Sequence, residues 1–381
     1  MDAQEVDLAV VGLGAAGSQA LLSAARRGAS VLGIEQFSIA HDRGSSHGHS
    51  RLFRGGASEG PLYVDLARRS RELWEEAERQ TGREILTLVS GLTLGSAESE
   101  LIETTRAALE ARGLPHETLD ADEVRSRFPQ HLVRDSDIGL IDPATGVVRP
   151  ELSIATAVEL AVDAGATVWA NTPVTRVDDD GSRVVIDTER GRVVARKVIL
   201  AAGAWNSTLL PDEASSFTVR RAILTWFLPR GDDWQHFAPD RFPVFTRDLD
   251  GVRGWGAPAI DDLGVKVGLQ DQAGYSIENP SDNRRDVTPD EVQRVEAFVA
   301  RQFGGALEPQ AVHARGCMIT VTPDEHFVVG PSASHPNIVL LAACSGHGFK
   351  HSPAIGEIGA DLALDGDSPF DLSLFAPSRF H

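Results

Sequence analysis

Val6-Asp7-Leu8-Ala9-Val10-Val11-Gly12-Leu13-Gly14-Ala15-Ala16-Gly17 is the most legible stretch of the chain, and the residues up to Glu35 complete it. Val6 to Val11 is a short, nearly continuous apolar run, the pattern of a strand buried on both faces of a parallel sheet. Ser18 to Arg27 reads as an alanine-rich helix, and a second apolar run, Ser30 to Ile34, ends at Glu35. The whole is a βαβ unit of about 30 residues with a GxGxxG turn and an acidic residue closing its second strand. Gly12 allows the tight turn, Gly14 lets the backbone approach a diphosphate, and Gly17 permits close helix–sheet packing. The helix N-terminus offers free N–H groups and the positive end of its dipole to the same anion.

Glu35 is placed to accept both ribose hydroxyls of a nucleotide and repels a 2′-phosphate, which disfavours NADP. FAD and NAD both remain open at this point. The chain has 381 residues, enough for two domains, with 42% hydrophobic and 24% charged residues, the balance of a globular protein with ample core. A net charge of -19 repels phosphate backbones and anionic membranes, so neither a nucleic acid nor a lipid surface is an expected partner. Two cysteines, Cys317 and Cys344, exclude a disulfide framework and a multi-cysteine zinc site, and no metal site is expected. The first residues are acidic where a secretory signal would be basic, and no run of about 18 apolar residues occurs, which points to a cytoplasmic protein.

Beyond the first unit, helices are expected over 63–81, 97–112, 121–127, 151–165, 289–303 and from the glycine-rich 345–350 to about Leu364. Strands are expected over 85–95, 137–141, 166–170, 197–203 and 337–343, with a three-stranded meander from 174–177, 183–188 and 192–194. Nucleotide-type elements are thus scattered through the chain. That order predicts an α/β cofactor domain with a Rossmann-like sheet assembled from 1–82, 146–210 and 323–381. A discontinuous, β-sheet-rich substrate domain, α+β in character, takes 83–145 and 211–322.

Four further stretches carry chemistry. Arg43-Gly44-Ser45-Ser46-His47-Gly48-His49-Ser50-Arg51-Leu52-Phe53-Arg54 reads either as a solvated polar loop or as an anion-facing one, with Arg51 and Arg54 on one side of a helical turn. Arg315 to Phe327 contains Cys317. Ser345-Gly346-His347-Gly348-Phe349-Lys350-His351 lets backbone N–H groups at a helix start face an anion. Gly264-Val265-Lys266-Val267-Gly268 puts a lysine in an apolar strand, either on an exposed face or as a cation in a dry site.

With these residues in view, the whole chain resembles the monomeric sarcosine oxidase / N-methyltryptophan oxidase family of FAD-dependent amine oxidases, in the D-amino-acid-oxidase-like superfamily. The resemblance rests on GSSHGHSR followed by Leu-Phe-Arg, the AAGAWN turn at 201–206, CMIT and TPDEHF within 317–327, SGHGFKHS at 345–352 and the closing PSRFH. It implies FAD held by a thioether from Cys317, with Gly12, Gly14, Gly17, Glu35, Ser45, Arg51, Val174, Gly203, Gly346, Gly348 and Lys350 around the cofactor. Arg51 and His47 match residues beside the flavin ring. Arg54 and Lys350 match the pair that clamps the substrate carboxylate, and Lys266 matches the lysine that activates dioxygen. Cys344 stays a small core residue.

The chain departs from sarcosine oxidase where the substrate pocket is implied: Trp255 and Ile319 replace tyrosines and Gln270 replaces a histidine. Loss of those polar groups moves the expectation from sarcosine to a bulkier N-methyl amino acid of the N-methyltryptophan type, oxidised to an imine with release of hydrogen peroxide. A cyclic imino acid of the pipecolate type and an amine dehydrogenase of the same fold are the alternatives. The resemblance also implies a monomer.

Overall fold

The computed structural model describes residues 3–55, 60–231, 233–270, 275–342 and 344–380. Ala343, at the end of an expected strand, and His381, the last residue of the closing motif, lie outside them.

Gln4–Val11 runs through the middle of an eight-stranded sheet, with Val31–Ile34 and Gly191–Leu200 parallel on either side. Thr167–Trp169 continues the sheet beyond Val31–Ile34, again in parallel. Alternation along the central strand separates two cores. Leu8 and Val10 pack with residues of the helices Ala15–Arg26, Pro150–Asp163 and Ser352–Leu364. Ala9 and Val11 face Val184, Ile186 and Val193 on the other side. Burying each such leucine or valine contributes about 1.5–3 kcal/mol, which is why this run folds as a central strand.

Gly191–Leu200 is one strand, where the sequence pattern predicts two pieces, 192–194 and 197–203. Its outer edge is shared: the first half pairs antiparallel with Val184–Thr188, the second half parallel with Ile338–Ala342. Arg196, mostly exposed, sits at the junction and interrupts the apolar pattern without interrupting the extended chain. Val174–Asp179 completes the antiparallel meander, and Val328–Pro331 pairs antiparallel with Ile338–Ala342.

A second eight-stranded sheet has the order His313–Val321, Thr218–Phe227, Val265–Leu269, Val252–Ala257, Val244–Leu249, Gly91–Ser96, Asp137–Asp142 and Glu117–Leu119. The helix Pro289–Phe303 packs on one face, burying Val295, Phe298 and Val299 against Val265, Val267 and Leu269. That helix is delimited as its sequence dictates, by a Thr288/Glu291 capping box, Pro289 in the first turn and a left-handed Gly304.

The strand expected over 85–95 is two strands in different sheets. Ser90, with φ 64°, turns the chain between Leu86–Leu88 and Gly91–Ser96. Leu86–Leu88 and Arg51–Arg54 both pair with Thr145–Val148 in a small third sheet. The first sheet draws its strands from 4–34, 167–200 and 328–342, the second from 91–142 and 218–321. Among the described residues no helix is long and apolar enough to cross a membrane.

Candidate active site

Residues of both large sheets line a cavity of about 900 Å³. Its nucleotide end is the glycine turn. Gly12 has φ 88°, and a Cβ there would lie 2.6 Å from the Ala201 carbonyl oxygen. A Cβ on Gly17 would lie 1.8 Å from the Gly12 oxygen, so the helix packs on its own turn. Gly14 differs: a Cβ would meet only Ser46 Oγ, at 3.6 Å, so this position opens toward the cavity. The helix Ala15–Arg26 starts there without a side-chain cap of its own, and Ser46 Oγ accepts the Ala15 N–H at 3.3 Å.

Glu35 ends its strand buried, accepting the Leu13 N–H at 2.9 Å and the Phe37 N–H at 3.0 Å. Its carboxylate, Val174 and Gly203 line the same cavity. An open glycine cradle, a helix start without a cap from its own N-cap residue and a buried carboxylate at the strand end fit the diphosphate and ribose of FAD.

The other end is built from four segments. Ser45, Arg51 and Arg54 come from the 43–54 stretch, Cys317 and Ile319 from His313–Val321, Lys266 from Val265–Leu269, and Gly346, Gly348 and Lys350 from the glycine-rich turn before the last helix. One expectation needs correction. Arg51–Arg54 is a β-strand, not a helical turn, because Leu52 and Phe53 pair with Val147 and Gly146 across the third sheet. Residues three apart in a strand leave on opposite faces. Both arginines still line the cavity, while Phe53 packs edge-on against Trp74.

Arg51 donates to the Ser50 carbonyl at 3.0 Å and the Ser45 carbonyl at 2.8 Å, and lies 4.0 Å from Cys317 Sγ. Cys317 is buried opposite Ala222. The two cysteines differ in surroundings: Cys317 has a guanidinium beside it, whereas burial alone pushes the Cys344 thiol up to about 12.

Lys266 is 2% exposed and resolves the alternatives its sequence left open. The strand alternates Val265, Val267 and Leu269 into the core under the helix Pro289–Phe303, which leaves Lys266 and Gly268 on the cavity side. Its Nζ donates to the carbonyls of Gly48 at 2.9 Å and Ser50 at 2.8 Å, and lies 5.2 Å from the centre of the Trp226 ring. Burial, followed by repulsion from Arg51, holds the ammonium well below its ordinary pKa. His47 is packed behind the cavity wall rather than on it. Burial, then Arg51 and Lys266, push it down to about 2, so it is neutral, and its Nε2 has no hydrogen-bond partner among the described residues.

The implied substrate positions converge on the same space: Arg54, Lys350, Trp255, Gln270 and Ile319 all line it. The Trp255 indole covers Gly268, where a Cβ would come within 2.5 Å of the ring. Three participants carried no local signal. Trp226 under Lys266, Glu151 bonded to the Gly48 N–H, and Arg220 on the cavity wall become visible only through strand register and helix placement.

Comparison with known proteins places the chain in a family. The family model described as "FAD dependent oxidoreductase" (DAO) matches residues 7–362. The chain is 39% identical over 377 residues to monomeric sarcosine oxidase of Streptomyces avermitilis, covering 98% of this chain and 97% of that one. It is 34% identical over 381 residues to N-methyl-L-tryptophan oxidase of Escherichia coli, covering 98% and 99%. Among solved structures, the open form of NikD, an unusual amino acid oxidase of nikkomycin biosynthesis, superposes with a TM-score of 0.86 at 22% identity, covering 98% of each chain. L-proline dehydrogenase from P. horikoshii superposes with a TM-score of 0.85 at 19% identity, covering 100% and 98%. The last two show the fold. With two full-length relatives above 30% identity and a family model over almost the whole chain, this protein belongs to the DAO family of FAD-dependent oxidoreductases, in its sarcosine oxidase / N-methyltryptophan oxidase branch.

Proposed function

We propose that the protein oxidises a secondary, N-methyl amino acid bulkier than sarcosine, with dioxygen as the electron acceptor. Bound FAD would supply two-electron redox chemistry, by which the amine loses two electrons and two protons to become an imine and dioxygen gains the same number to become hydrogen peroxide. The chain supplies the surroundings. Arg54 and Lys350 hold the substrate carboxylate and so aim its amine. The cationic wall of Arg51, Arg54, Lys266 and Lys350 favours the neutral amine, the form that can give up electrons. Lys266 places its amine in a dry site, where its protonated form stabilises the negative charge that develops as dioxygen is reduced. Cys317 is the proposed covalent anchor.

The observation that carries this reading is the buried Lys266 amine, whose Nζ donates to the Gly48 and Ser50 carbonyls on the wall shared by Arg51 and Cys317. The pocket argument for a larger substrate is the indole of Trp255 laid over Gly268, with Ile319 and Gln270 nearby on the wall. A flat aromatic wall also suits a ring, which makes a cyclic imino acid of the pipecolate type the second reading. The division into a cofactor part (1–82, 146–210, 323–381) and a substrate part (83–145, 211–322), a monomeric state and a cytoplasmic location belong to the same proposal.

Two measurements test it. A peroxide-coupled screen should give the highest kcat/KM with a bulky N-methyl amino acid rather than sarcosine or pipecolate. Lys266→Met should slow reoxidation of the reduced enzyme by about a hundredfold or more, as removal of a preorganised charge does, while anaerobic reduction by the amine stays nearly intact. Equal loss in both half-reactions would remove Lys266 from the dioxygen step.

A further inference from the structure

Lys266 ties together two remote parts of the chain, and the peptide it holds carries a second, outward-facing connection. Its two acceptors, the Gly48 and Ser50 carbonyls, flank His49. His49 has φ 63°, a left-handed backbone that turns the carbonyls on both sides of it toward the amine. Its imidazole Nδ1 lies 2.7 Å from Asp261 Oδ2. The other Asp261 oxygen accepts the Leu263 N–H at 3.0 Å, in the turn that leads into Val265–Leu269. On the opposite side, Glu151 Oε1 accepts the Gly48 N–H at 2.6 Å and the His49 N–H at 3.2 Å.

The fit leaves no slack. A Cβ on Gly48 would lie 2.5 Å from Leu224 Cδ1 and 3.1 Å from Lys266 Nζ. A shift of the His49 peptide therefore moves both carbonyls away from the amine at once. Neither His49 nor Asp261 lines the cavity. We infer that His49 and Asp261 form a latch that closes the 48–50 loop onto the strand of Lys266 and holds its ammonium in position for the dioxygen step. Both are positioning residues that act through Lys266, and the inference rests on the dioxygen role proposed for that lysine.

The latch is sensitive to pH. His49 faces Asp261 and Glu151, which favour its charged form, and Lys266, which opposes it; His313 stands across the Trp226 ring. The hydrogen bond to Asp261 is the largest influence and raises the imidazole above its ordinary value. The latch is thus an ion pair at low pH and weakens as pH rises through that raised value.

The test uses the holoenzyme with His49→Asn, which tolerates the left-handed backbone, and Asp261→Asn. Amide hydrogen exchange over residues 44–51 should quicken in both variants, a readout independent of turnover. Reoxidation at about pH 6.5 should fall about tenfold in both, the scale of a misplaced catalytic group, with anaerobic reduction changed less than about twofold. In the parent, reoxidation should decline as pH rises through the raised value of His49, and in His49→Asn it should be low and should lack that component of the pH dependence. Unchanged exchange, or reoxidation within about twofold of the parent, overturns the latch, as does equal slowing of both half-reactions. If Lys266→Met leaves reoxidation untouched, the reading of Lys266 fails first and the latch's function fails with it, whereas a slow Lys266→Met beside fast latch variants overturns the latch alone.

Discussion

Two cysteines share one cavity wall in different settings. Cys317 is buried with the Arg51 guanidinium 4.0 Å from its sulfur, whereas Cys344 meets only burial, which keeps its thiol protonated. Cys317 is the residue proposed above to anchor the flavin. Cys317→Ser should therefore release all flavin into the supernatant on acid precipitation, while the parent pellet stays yellow and Cys344→Ser behaves like the parent. Flavin released from the parent itself would remove the thioether. At this scale the resemblance to the sarcosine oxidase family singled out Cys317, Arg51 and Lys266 as candidates. It carried nothing about the guanidinium–sulfur distance, because the two residues come from different sheets.

Among the elements, the strands Val252–Ala257 and Val265–Leu269 show how glycine shapes the pocket. Gly254 and Gly256 face the core side, where Cβ atoms would collide with Phe298 and Phe245. Trp255, between them, faces the cavity and lies across Gly268 of the paired strand. The bare backbone of Gly268 thus sets the depth of the indole. Gly268→Ala should push the ring into the cavity and raise KM for a bulky N-methyl amino acid by about tenfold, the usual worth of one carbon in a packed pocket. KM for sarcosine should change much less, and parallel KM measurements decide the point. Element positions were largely legible from alternation and turn residues. The misreadings fell where tertiary pairing overrides local pattern: a helical turn at 51–54 that is a strand, one strand over 85–95 that is two, and two pieces near 195 that are one.

For the molecule as a whole, two buried histidines make stability depend on acidity. His131 is enclosed by Phe242, Phe245 and Phe303 with Gln302 bonded to its ring, and burial followed by Arg247 pushes it down to about 3. His47 falls to about 2. Between those values and the ordinary 6.5, the unfolded chain binds protons that the native protein does not, so stability falls as pH drops through this window. Urea midpoints should decline steadily from about pH 6.5 to pH 4, and His131→Phe, which keeps the aromatic packing, should flatten that slope. An unaltered slope would show that His131 is not a source of the acid sensitivity.

The sequence by itself determined the βαβ cofactor unit, the order of the motifs and the identity of the chemical groups. Those depend on local rules: period-two alternation, helical caps and glycines where only glycine fits. Only the tertiary structure decided which groups meet. Lys266 reaches Gly48 across 218 positions, and His49 reaches Asp261 across 212. Those encounters depend on where the loop before Arg51–Arg54 meets the strand Val265–Leu269 and the turn before it, and no residue's near neighbours in the chain encode that.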